Sequence, residues 1–211
     1  MNTTDDDLPP ADPAESLRLI AQGRAAAERR LIPDPRLLLW PWGLAWLIGF
    51  GVYFLRFGPG GQVYVDMPAF LPLAVLLGLI AMAGIITGVV GARAGRQVSG
   101  PTSRQGTMYG VTWSVAFIGM AVLFSRISDL LPVPEANLLW AGAMVALTGA
   151  LHMAGGALWN DRILYTLGVS ISVVNVVGIV IGPGWHALIV AVFGGGGMLV
   201  AGLVSWLRLA R

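Results

Sequence analysis

The chain has 211 residues, of which 56% are hydrophobic and only 11% charged, whereas a soluble domain carries about 25% charged residues. A net charge of +2 makes no case for a nucleic-acid partner. All 13 basic residues are Arg and Cys is absent, which excludes a Gly-Lys-Ser/Thr phosphate loop, a lysine Schiff base, disulfides and thiolate chemistry.

Residues 1–13 are acidic and Pro-rich and are expected to be disordered. Residues 14–36 form an arm whose first part, 14–31, reads as a helix. Leu17, Ile20, Ala21 and Leu31 fall near one face, with Arg18, Glu28, Arg29 and Arg30 largely elsewhere. Two readings stand for it: a helix lying on the inner leaflet, its Arg drawn to anionic lipid, or a solvated basic segment that only sets topology. Ile32-Pro33-Asp34-Pro35 ends the arm. No basic start followed by an apolar stretch precedes it, so insertion is expected to be directed by the first span.

A membrane helix needs about 20 mostly apolar residues. The uncharged stretches supply six such spans, at about 40–57, 68–91, 107–124, 136–159, 163–181 and 185–207. The last two come from one uncharged run between Arg162 and Arg208, divided at Gly182-Pro183-Gly184. Pro lacks a backbone donor and Gly tolerates turn dihedrals, so the chain can reverse there. The fold class is therefore an all-α integral membrane protein, a six-helix bundle.

Arginine sets the orientation. Arg18, Arg24, Arg29, Arg30, Arg36, Arg93, Arg96, Arg104, Arg162, Arg208 and Arg211 fall on one side, and Arg56 and Arg126 on the other. Positive charge is retained in the cytoplasm, so both termini are expected inside, in a multi-pass protein of the bacterial inner membrane. Trp40, Trp42, Trp140, Trp159, Trp185 and Trp206 sit at span ends, where indoles prefer the headgroup level. The loop from Ser125 to Glu135 is expected to hold a short interfacial turn.

Apart from Arg56 at the end of the first, no Asp, Glu or Arg lies inside a span, which argues against a carboxylate proton relay. His152 is the titratable side chain well inside one, with Thr148 a turn away. It is read either as a ligand contact or as a histidine bonded within the bundle. Thr87, Thr112, Ser114, Thr148, His152, Ser170 and Ser172 nearly all fall in the inner half. They either line a cytoplasm-open cavity or bond their own preceding turns. Asn175 lies deeper and reads as a helix-to-helix contact. Gly194, Gly195, Gly196 and Gly197 are the least common local feature; such a run gives a broken helix beside a site or a very close helix approach. His186, in the Gly-Pro-Gly-Trp-His turn, is expected at the interface. No enzyme or metal signature is found, and no catalytic residue or cofactor is expected.

Three strings carry a resemblance: Ile32-Pro33-Asp34-Pro35-Arg36 leading into Trp40-Pro41-Trp42-Gly43, Met153-Ala154-Gly155-Gly156-Ala157-Leu158-Trp159, and Gly182-Pro183-Gly184-Trp185-His186-Ala187. They resemble a group of uncharacterised actinobacterial six-span membrane proteins often labelled transporters. The resemblance covers most of the chain after about residue 15. It implies a transport-type role and brings no substrate or site residue. The expected function is a transport or permease-like subunit. Its alternative is a non-transport partner (sensor, anchor or assembly factor) acting through the amino-terminal arm. The partners expected are the lipid bilayer, a separate ATPase or regulatory protein, and further copies of the chain, but not nucleic acid.

Overall fold

A computed structural model describes residues 12–31, 34–95 and 101–209; the acidic tail up to residue 11 lies outside them. Every regular element among the described residues is helical. Helix α1 (Pro13–Leu31) forms the arm, started by the Asp12 carboxylate, which accepts from Ala14 N at 3.0 Å.

The spans follow. Helix α2 (Pro35–Arg56) begins five residues earlier than expected, because Asp34 caps it and Pro35 supplies a helical φ at its first position. Arg36 is therefore part of the first span and not of the arm. At 22 residues α2 is about 33 Å long, enough for a hydrocarbon layer of about 30 Å. Helix α3 (Leu71–Gly95) is the second span. Helix α4 (Pro101–Ile127) is the third, and also starts early: Arg104 lies on the helix. A 3₁₀ turn at Ser128–Leu130 follows it, in the loop expected to hold a short turn. Helix α5 (Val133–Leu158) is the fourth span and α6 (Arg162–Ile181) the fifth. Asp161 starts α6 by accepting from Ile163 N at 2.9 Å and Leu164 N at 3.1 Å. The sixth span is composite. A short α7 (Trp185–Ile189) passes through a π-helical turn (Val190–Gly195) into α8 (Gly196–Leu209).

All six spans are long and apolar enough to cross a membrane, so the chain is a multi-pass, all-α membrane protein. An even number of crossings puts the ends of the span set on one side. The packing agrees: the Arg36 guanidinium lies 4.2 Å from the Trp206 ring centre, joining the start of α2 to the end of α8. At the other end the Gly182–Gly184 turn presses on the loop after α2. A methyl at Gly184 would lie 2.5 Å from Pro59 N, and its φ of +83° is one a side chain rarely adopts. Phe54 stacks there on Tyr64 and leans on Trp185.

The strongest helix contacts run α3–α2–sixth span–α6–α5–α4, a row in which the sixth span is central. In the most apolar stretch of that span 39% of the residues are buried, against 6% in the third span. The core is Trp46, Phe50, Leu76, Val145, Leu167, Ile171, Val190, Ala191 and Met198. Lipid tails are as apolar as Leu, so helix association rests on close packing and interhelical hydrogen bonds. Gly168 lets α6 meet α5 at backbone distance: a methyl there would lie 2.6 Å from Met153 N and 2.7 Å from Gly149 O. The third span docks on α5 by an aromatic ladder at four-residue spacing. Tyr109 meets Trp159 edge-on at 4.8 Å and donates to Leu151 O, and Trp113 stacks on Phe117.

Candidate functional site

Three places hold the residues that chemistry would need. The first is a buried polar link near the Gly-Pro-Gly end. Asn175 on α6 and His186 on α7 are each 2% exposed. Asn175 Nδ2 donates to Gly142 O on α5 at 2.8 Å. That leaves its Oδ1 as acceptor, so His186 Nε2–H donates to it at 2.8 Å. One amide thus ties α5, α6 and the sixth span. His186 is not the interfacial group expected from its turn. Gly178 leaves room for the ring (a methyl there would lie 2.8 Å from His186 Cδ2), and the tight reversal at Gly182–Gly184 tucks the first turn of α7 against α6.

The second place is the glycine run. Gly194 and Gly195 press on α2. A methyl at Gly194 would meet the Trp46 ring at 2.9 Å, and one at Gly195 would meet Gly43 O at 2.7 Å and Leu47 N at 2.8 Å. Gly196 has nothing within 4 Å of such a methyl, and Gly197 only Leu167 Cδ1 at 4.0 Å. Packing therefore accounts for half of the run. The helix is not broken: Gly196 keeps right-handed helical dihedrals, φ −60° and ψ −40°. It is locally widened by the π-helical turn, a feature that often bends helices and recurs at functional sites.

The third place is the inner-half hydroxyls. Thr148 Oγ1 donates to Met144 O at 2.8 Å, Ser170 Oγ to Thr166 O at 2.9 Å and Ser172 Oγ to Gly168 O at 2.9 Å. Thr87, Thr112 and Ser114 likewise bond their own preceding turns. Thr148 is buried, whereas Ser170, Thr112 and Ser114 lie on outward faces. The structure does not gather them around one cavity. His152 Nδ1–H donates to Thr148 O on its own helix at 2.8 Å, and its ring stands edge-on to Trp113 of α4 at 5.3 Å. Asn175 and His152 are on different helices and take no common partner.

Sequence reasoning missed a charged feature at the head of α2. Arg36 Nε and Nη2 donate to both Asp34 oxygens, at 2.7–3.1 Å. The Arg36 hydrogen bond holds the Asp34 carboxyl below its ordinary pKa. The signal is local and readable, since Asp34 is two residues from Arg36; the stacking partner Trp206 is not. No family model, curated protein or solved structure matches this chain.

Proposed function

We propose that the protein is a permease-like membrane subunit that handles an apolar or amphipathic substrate, with the sixth span as its moving part. The observation that supports this is the π-helical turn at Val190–Gly195 running into Gly196 and Gly197, where an added methyl would meet almost nothing. π-helical turns recur at functional sites and bend the helices that hold them. The central place of this span in the row means that bending it would shift both α2 and α6. The lack of charge at membrane depth favours cargo that needs no ion coupling. Energy for uphill movement would come from a separate ATPase, and the chain would sit in the bacterial inner membrane with both termini cytoplasmic.

A test uses inverted membrane vesicles and a panel of lipophilic dyes such as ethidium and Nile red. Vesicles enriched in the protein are expected to move at least one dye faster than controls. The Gly196→Ala/Gly197→Ala double variant, which has room for both methyls, is expected to lose most of that movement while keeping its helix content. Equal rates in all three preparations would contradict the transport reading.

One observation favours a second reading. Leu17 and Ile20 on α1 are 69% and 66% exposed, an apolar pair free to meet a regulatory protein. If the dyes do not move and removal of residues 1–31 releases a co-purifying protein, the sensor, anchor or assembly role replaces transport.

A further inference from the structure

Pro41 lies in the second turn of α2 and has no N–H, so the Leu37 carbonyl loses its helical donor. Leu37, Pro41, Leu44 and Ala45 share one face of α2. Opposite them Leu79, Met82, Ala83 and Ile86 share one face of α3. The two faces do not close on each other. They bound a cleft of about 330 Å³, within the size of small-ligand sites. Short side chains form its floor: Ala45 and Ala83 line it and, at 1% exposed each, mark where the two helices meet. From Arg36 to Ala45 the helix rises about 14 Å, close to one leaflet's share of a hydrocarbon layer about 30 Å thick. The cleft therefore runs from headgroup level toward the bilayer midplane, the depth range that an acyl chain occupies.

Its mouth is charged, and both signs are fixed there. Asp34 and Arg36 line it beside Trp40. Their side chains are about one-third exposed, at 31% and 32%. The guanidinium is held from one side by Asp34 and from another by the Trp206 ring. Nη1 takes no part in the Asp34 pair. A headgroup that is only anionic would face the Asp34 carboxylate. A zwitterionic one matches both charges, and a primary ammonium can donate hydrogen bonds where a quaternary ammonium cannot.

We propose that the α2–α3 cleft binds one phospholipid with a phosphoethanolamine head, its phosphate on Arg36, its ammonium on Asp34, and an acyl chain between the two helices. This does not rest on the transport reading, since the site can hold its lipid in a protein that moves nothing.

The test reconstitutes the full chain in nanodiscs with equal parts of phosphatidylethanolamine, phosphatidylcholine and phosphatidylglycerol. The protein is then extracted in mild detergent, and retained lipid is read by native mass spectrometry. Phosphatidylethanolamine is expected to be enriched about tenfold over phosphatidylcholine, the ratio that one extra charge-assisted hydrogen bond can supply. Asp34→Asn keeps a capping side chain, so α2 still forms. It is expected to shift the preference to phosphatidylglycerol, because Arg36 is then uncompensated. Met82→Trp fills the deep part of the cleft from an exposed position and is expected to reduce retention of all three lipids. Circular dichroism checks that both variants fold. Equal retention of all three lipids by the wild type would overturn the proposal. So would an unchanged preference in Asp34→Asn, or unchanged retention in Met82→Trp.

Discussion

Gly168→Ala is expected to destabilise the protein by about 2 kcal/mol, and Gly168→Leu by more. The added methyl would meet Met153 N at 2.6 Å and Gly149 O at 2.7 Å. Both are backbone atoms, which cannot swing aside as a side chain can. Relief requires α5 and α6 to separate, and this is one of the two most extensive helix contacts in the molecule. Separation would also strip contacts from Leu167 and Ile171, which are 5% and 1% exposed. The control is Gly84→Ala on α3, where nothing lies within 4 Å of the new methyl; its effect is expected within about 0.5 kcal/mol. The eight Trp make thermal unfolding in detergent readable by intrinsic fluorescence. Equal midpoints for the two alanine variants would contradict the packing described.

Asn175→Leu is expected to cost about 1–3 kcal/mol, the penalty for a buried donor left without an acceptor. The orphaned group is His186 Nε2–H, which donates to Asn175 in a core site 2% exposed. The loss also removes the bond to Gly142 O and with it the link to α5. Membrane hydrogen bonds are individually modest, about 0.6 kcal/mol on average, so a double-mutant cycle separates the bond from the packing. With His186→Phe already present, Asn175→Leu is expected to cost less, by a coupling of about 0.5–1.5 kcal/mol. Strict additivity would mean that the two side chains do not interact.

The spans are legible in the sequence because lipid solvation imposes a length and an absence of charge, both visible in a single chain. Their starts are less so. An arginine reads as the end of a span, yet Arg36 and Arg104 lie on the helices, one held by its Asp34 cap and the other carried on the first turn of α4. Asn175 reads as a joint between helices, because a lone amide at that depth needs a partner; in the structure it joins three. His186 misleads because a Gly-Pro-Gly neighbour suggests an exposed turn. Its burial depends on Gly178 and Asn175 facing it from α6, which no local pattern shows. The hydroxyls offer two outcomes, and the carbonyl four residues back takes each of them, the nearest acceptor on the same helix. Close packing explains the glycine run only as far as Gly195. The open space at Gly196 and Gly197 depends on where α6 stands, and that is a long-range fact.

Six crossings place the arm and the Asn160 turn on one side of the membrane and the Gly60 and Leu130 loops on the other. The chain has no native Cys, so single cysteines can be placed without background. Gly61→Cys and Leu130→Cys are expected to react with a membrane-impermeant maleimide in intact cells. Gln22→Cys and Asn160→Cys are expected to react only after the membrane is opened. Labelling of Asn160→Cys from outside, or protection of Gly61→Cys in intact cells, would contradict the arrangement.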